Sequence, residues 1–333
     1  MTSQKKTGAL CAGVVALVSL LLWQASFAGP LRDRSIERRT AQEQSDTLVD
    51  DTASRESASF PAGIRILRDI PYGSDEQQRF DVYSPMQAKG APVIFMVHGG
   101  AWFLGDKAAR AVVENKVARW VPRGFIIVST NYRLLPKADP LEQARDVARA
   151  LVAAQDKAAS WGGDQTKFIL MGHSAGAHLV ALLATTSSIS LGIVSKPWLG
   201  TVLLDSAALD VVKIMEARHA RFYDQAFGHD REYWKSASPF DALVGGGKPI
   251  LAVCSTQRAD SCPQANRFAQ KASLLGMRAS VQGRNLSHKE VNQQLGEEQN
   301  YTKAVESFLS SLDDSVAKLL SNRSSGSPLR SVR

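Results

Sequence analysis

Phe168-Ile169-Leu170-Met171-Gly172-His173-Ser174-Ala175-Gly176-Ala177-His178 is the stretch on which the fold turns. Four consecutive apolar residues suit a strand buried on both faces, and Ala177 to Thr185 is rich in helix formers. Between them stands Gly172-x-Ser174-x-Gly176, a serine on a tight strand-to-helix turn. Flanking glycines remove the side chains that would clash in such a turn. The hydroxyl then projects above the sheet, with the N-terminus of the following helix beneath it, where N–H groups and the dipole favour negative charge.

Outward from this point, short apolar runs bounded by Gly and Pro alternate with longer amphipathic stretches. Strands are expected at 93–97, 125–128, 168–171, 202–204, 250–253 and 279–281, and helices at 141–154, 265–275 and 301–312. A helix-period segment after a strand is the crossover that a parallel sheet requires, so the fold class is α/β, a mainly parallel sheet with helices on both faces. Ile64 to Ile70 and Arg79 to Tyr83 read as an antiparallel hairpin on the edge. A segment from about 206 to 247, carrying Phe222, Tyr223, Phe227, Tyr233 and Trp234, interrupts the alternation and is expected to form a small cap or pocket wall.

The chain has 333 residues, 44% hydrophobic and 22% charged, enough for one large core. Its start reads as an export signal over 1–28: Lys5 and Lys6, an apolar run over 8–22, then Ser26-Phe27-Ala28 as a small-x-small cleavage site. That run is shorter than a spanning helix requires, so no stable membrane anchor is expected. Residues 29–59 are polar and read as a disordered linker, 60–312 as the folded domain, and 313–333 as a flexible tail. The net charge of +8 is dispersed rather than striped, which disfavours nucleic acid as a partner. No cysteine or histidine spacing fits a metal, and neither metal nor cofactor is expected. Cys254 and Cys262 lie close enough in sequence to bridge across a short loop in an oxidising compartment. Oligomeric state is left open.

A serine hydroxyl needs a histidine base, and the base needs an acid to fix its tautomer. The order serine, acid, histidine admits His219, His229 and His288; the first two precede any acid placed after the 250–253 strand, which leaves His288. Asp260, a few residues beyond that strand, is taken as the acid, with Asp205 at the end of the preceding strand as its rival. His98-Gly99-Gly100-Ala101-Trp102 follows an earlier strand in the manner of a loop that offers backbone N–H groups to an oxyanion. His98 is expected to brace that loop, and His173 and His178 to pack or line the pocket.

With these motifs, and with Asp81-Val82-Tyr83-x-Pro85 and Asn131-Tyr132-Arg133-Leu134, residues 60–312 resemble the α/β-hydrolase superfamily, and within it the hormone-sensitive-lipase-like and acetyl-esterase-like carboxylesterases. The resemblance implies a small-molecule ester substrate and an acyl-enzyme route, with Ser174 as nucleophile, His288 as base and Asp260 as orienter. It puts oxyanion donors on the N–H groups of Gly100, Ala101 and Ala175. Lipases of the group usually have a third glycine where this chain has Ala101. The Gly-Gly-x-Trp form is also similar to kynurenine formamidases, a reading that export disfavours. A catalytically inactive binding protein on the same fold is a further alternative, against which stands the presence of all three triad residue types.

Overall fold

The computed structural model describes residues 58–186, 192–206 and 208–322. In chain order its strands are β1 (Ile64–Pro71), β2 (Arg79–Pro85), β3 (Ala91–Val97), β4 (Ile126–Thr130), β5 (Gly163–His173), β6 (Gly200–Leu204), β7 (Ile250–Ser255) and β8 (Ala279–Arg284). The longer helices are α1 (Arg110–Trp120), α2 (Pro140–Lys157) and α3 (Ala175–Thr185). Four short helices follow β6: α4 (Val211–Met215), α5 (Arg221–Phe227), α6 (Arg231–Ser236) and α7 (Pro239–Ala242). The chain closes with α8 (Ser261–Leu274), α9 (His288–Gln293), α10 (Asn300–Ser310) and α11 (Asp314–Ser321). The eight strands form one sheet in the order β1-β2-β4-β3-β5-β6-β7-β8. β1 and β2 form the expected antiparallel hairpin, β2 also runs antiparallel to β4, and the remaining pairs are parallel.

Strand side chains alternate between faces, and here both faces are covered. Val93, Phe95 and Val97 of β3 join Val147 and Leu151 of α2 in one core, while Ile94 and Met96 join Val113 and Val117 of α1 and Val305 and Leu309 of α10 in the other. The continuous apolar run of β3 is therefore a two-sided core. Truncating such a side chain, as in Leu151→Ala, costs about 2–5 kcal/mol. α2 starts where Asp139 accepts hydrogen bonds from the N–H groups of Leu141 and Glu142 at 2.9 and 3.0 Å, with Pro140 preset for the first turn.

The expected export signal and the linker as far as 57 lie outside the described residues, as does the end of the chain from 323. Phe60 packs on Tyr83, the ring centroids 5.1 Å apart, which ties the first described residues to β2. At the other end the expectation of a tail from 313 is corrected, because 314–321 is the helix α11. Asp313 caps it, Val316 is buried, and Leu319 and Leu320 pack against the α1 side of the core. Three polar residues in a row, Asp313-Asp314-Ser315, do not prevent a helix whose apolar positions share one face.

Candidate active site

The parallel register sets the geometry of the site. Val97 of β3 lies opposite Gly172 of β5, and His173 lies opposite Leu204 of β6, which lies opposite Val253 of β7. Ser174 and Asp205 therefore emerge side by side at the carboxyl ends of their strands, where an open α/β sheet presents its ligand crevice. Ser174 has φ 52° and ψ −118°, and its N–H donates to Leu204 O at 2.9 Å. The close approach that permits this turn depends on two glycines. A Cβ at Gly172 would stand 2.3 Å from Gly176 O, and one at Gly176 would stand 2.3 Å from the carbonyl oxygens of Val97 and His98.

Beside the serine, Gly100, Ala101 and Trp102 take positive φ in succession, at 107°, 49° and 67°. A non-glycine residue held there costs about 1–3 kcal/mol and persists only when its surroundings impose it. Those surroundings are specific. The N–H groups of Phe103 and Leu104 both donate to Gly100 O, and Trp102 O accepts from Leu135 N at 3.0 Å and Gln143 Nε2 at 2.9 Å. Tyr132 OH donates to His98 O at 3.1 Å, and the two rings stack with centroids 4.5 Å apart. His98 Nδ1–H donates to Gly99 O at 2.8 Å, so His98 braces the loop as expected. Among the described residues no backbone acceptor takes the N–H groups of Gly100, Ala101 or Ala175. Ala101, Ser174 and Ala175 line one small cleft, with Phe222 and Tyr223 of α5 forming its wall. The inserted segment is thus wall as well as packing, since Trp102 also meets Phe227 at a 5.0 Å centroid distance.

His288 is the first residue of α9, fixed by a capping box between Ser287 and Glu290. Its Nδ1 hydrogen bonds Asp205 Oδ2 at 2.6 Å. The expectation for Asp260 is corrected here: its side chain is 42% exposed, and its ion-pair partner is Arg258, at 3.5 Å, rather than the histidine. The physical reason is the start of α8, where consecutive residues diverge around the helix. Ser261 points inward and donates its hydroxyl to Asp205 Oδ1, while half-buried Asp260 faces Arg258 instead. Asp205 also accepts from Ser255 N at 2.6 Å and from Arg258 Nη1 at 3.1 Å, and is fully buried. Burial alone would raise its pKa. The hydrogen bonds from His288 and Ser261 and the charge of Arg258 outweigh that and hold the carboxyl well below the usual range.

All three donors other than His288 lie in the loop closed by the Cys254–Cys262 disulfide, whose Cα atoms are 5.1 Å apart. The expected bridge is present, but it braces the partners of Asp205 rather than Asp260. Arg258 was not legible as a site residue. The one available signal was an arginine between two nearby cysteines at the carboxyl end of a strand. His173 Nε2–H donates to His288 O at 3.0 Å, and its ring stands 4.5 Å from that of His288; burial, then the charge on His288, hold its pKa well below normal. Trp102 Nε1–H donates to His178 Nδ1 at 3.2 Å, and His178 Nε2–H donates to Ala237 O at 2.7 Å. His219 pairs with Asp224 inside the insertion, and His229 is exposed.

The comparisons agree with this architecture. The BD-FAE family matches residues 80–202, which run from β2 through the oxyanion-type loop and the serine elbow into β6. The chain is 34% identical over 118 residues to the probable isoprenylcysteine alpha-carbonyl methylesterase ICME of Oryza sativa subsp. japonica, covering 35% of this chain and 28% of that one. It is 31% identical over 121 residues to the kynurenine formamidase of Danio rerio, covering 36% and 39%. The aligned stretch is thus well under half the length of either relative. Among solved structures, esterase B from Lactobacillus Rhamnosis superposes with a TM-score of 0.67 at 19% identity, over 86% of this chain and 97% of that one. With eight strands in this order, and the serine elbow inside the BD-FAE match, the chain has the α/β-hydrolase fold.

Proposed function

We propose that this protein is a carboxylesterase that cleaves small to medium carboxylic esters through an acyl-enzyme. Ser174 is the nucleophile, His288 the general base and then acid, and Asp205 the residue that orients it. The observation that carries the reading is the hydrogen bond from His288 to Asp205 at the strand end next to the strained Ser174 turn. With its Nδ1 proton directed at Asp205, His288 has Nε2 free to accept. Nε2 takes the Ser174 proton as Oγ bonds to the ester carbonyl carbon. The carbonyl oxygen becomes an oxyanion, received by the N–H groups of Gly100, Ala101 and Ala175. Collapse breaks the bond to the alcohol oxygen, which leaves with the proton from Nε2. Water then gives a proton to His288 and attacks the acyl carbon, releasing the acid and restoring Ser174.

Similarity to an esterase that removes a methyl ester, together with a small cleft walled by Trp102, Phe222 and Tyr223, supports short acyl or alcohol groups. Export belongs to the same proposal, supported by the sequence pattern of residues 1–28 and by a disulfide, which suits an oxidising compartment. The test is hydrolysis of p-nitrophenyl esters of increasing acyl length, with N-formylkynurenine in the same panel. Turnover that falls with acyl length supports the reading. Efficient cleavage of N-formylkynurenine with negligible ester turnover would move it to the formamidase alternative that the Danio rerio relative represents.

A further inference from the structure

Three atoms at the heart of the site form a tight triangle. His288 Nδ1 is 2.6 Å from Asp205 Oδ2, Arg258 Nη1 is 3.1 Å from the same oxygen, and Arg258 Nη1 is 3.0 Å from His288 Nδ1. One carboxylate oxygen thus serves two donors. In the tautomer that leaves Nε2 free, Nδ1–H and the guanidinium meet donor to donor across that oxygen. The Arg258 side chain is 11% exposed, lines the cleft that holds Ser174, and is held by a loop that the Cys254–Cys262 bridge closes. Removed from solvent, its charge is poorly screened by water, and its second carboxylate neighbour, Asp260, stands farther off, at 3.5 Å from Nη2.

The remaining charged or titratable groups around His288 do not duplicate this contact. From β5, His173 donates to the His288 carbonyl and is kept neutral by burial. From α1, the Lys116 ammonium is bound to Asn292 O and Oδ1 at the far end of α9. On α9 itself, Lys289 follows the histidine and Glu290 accepts from Ser287 N at 2.8 Å. From α10, Tyr301 donates its hydroxyl to Val291 O at 2.7 Å.

We propose that Arg258 is a positioning residue of the triad, sharing Asp205 with His288 and thereby setting the acid limb of the pH profile. The inference rests on the esterase reading above. With the guanidinium in place, Asp205 Oδ2 divides its charge between Arg258 and His288. Without it, Asp205 serves His288 alone, the ring protonates more readily, and the acid limb rises.

The experiment measures kcat/KM against pH for a neutral short-chain ester with wild type, Arg258→Met, Arg258→Gln and Arg258→Lys. Rates are expressed per active site counted with a phosphonate, so unfolded molecules do not enter. The limb should rise by about one pH unit in the Met and Gln variants and stay near the wild-type position in the Lys variant. A limb unmoved in both neutral variants, or moved as far in Lys as in Met, overturns the proposal and leaves Arg258 a structural brace. A wild-type protein with neither phosphonate-reactive sites nor ester turnover overturns the esterase reading instead.

Discussion

Trp102 and His178 are locked together across the floor of the site: the indole N–H donates to His178 Nδ1, and the opposite ring nitrogen of His178 donates to Ala237 O, so one imidazole ties the oxyanion-type loop to the inserted wall. The arrangement requires a neutral ring. Burial supplies it by pushing His178 down to about 4. Because the folded value lies below the unfolded one, this contribution is intact above pH 6.5 and is lost as pH falls from there toward 4. His178→Gln can keep both hydrogen bonds and does not titrate. Relative to that variant, wild type should lose about 3 kcal/mol of unfolding free energy across this range. Urea melts of both proteins at neutral and acid pH check the difference.

Asp205→Asn should lower kcat by about 10⁴-fold, since an amide in that place supports the wrong tautomer of His288. Asp260→Asn, at a half-buried position paired with Arg258 rather than with the histidine, should stay within a few-fold of wild type. Steady-state kinetics of the two variants decide between the acids. A large loss in Asp260→Asn with Asp205→Asn nearly unaffected would restore the acid expected from chain order.

The elbow, the glycine loop and most strands were legible in the sequence because each depends on short-range backbone chemistry. Gly172 and Gly176 announce a close approach, and the apolar run of β3 announces two covered faces. Which aspartate meets His288 was not legible, for the opposite reason. Asp205 and Asp260 both follow strands at the carboxyl edge, and what separates them is the inward turn of Ser261 and Arg258, which is tertiary. α11 is not legible because half of its short length is Ser, Asp and Lys, while its stability comes from Val316, Leu319 and Leu320 docking on the core.

The disulfide loop provides a separable test. Cys254 and Cys262 should show no free thiol in unreduced, denatured protein purified from an oxidising compartment. Reduction should lower kcat several-fold by loosening Ser255, Arg258 and Ser261 around Asp205. The stability lost should be about 2–3 kcal/mol, the chain-entropy contribution of so short a loop. Thiol titration, turnover and thermal melts on the same sample read all three. Unchanged turnover after complete reduction would remove the loop's role in catalysis while leaving its structural one.

The central claim is that Ser174 is the attacking atom. Its most direct measurement is the mass of the proteolytic peptides after titration with a p-nitrophenyl alkylphosphonate, taken beside residual ester hydrolysis. One adduct per molecule on the peptide carrying Ser174, rising in proportion to the activity lost and absent in Ser174→Ala, is the predicted result. An adduct on another residue, or hydrolysis undiminished in folded Ser174→Ala, would contradict it.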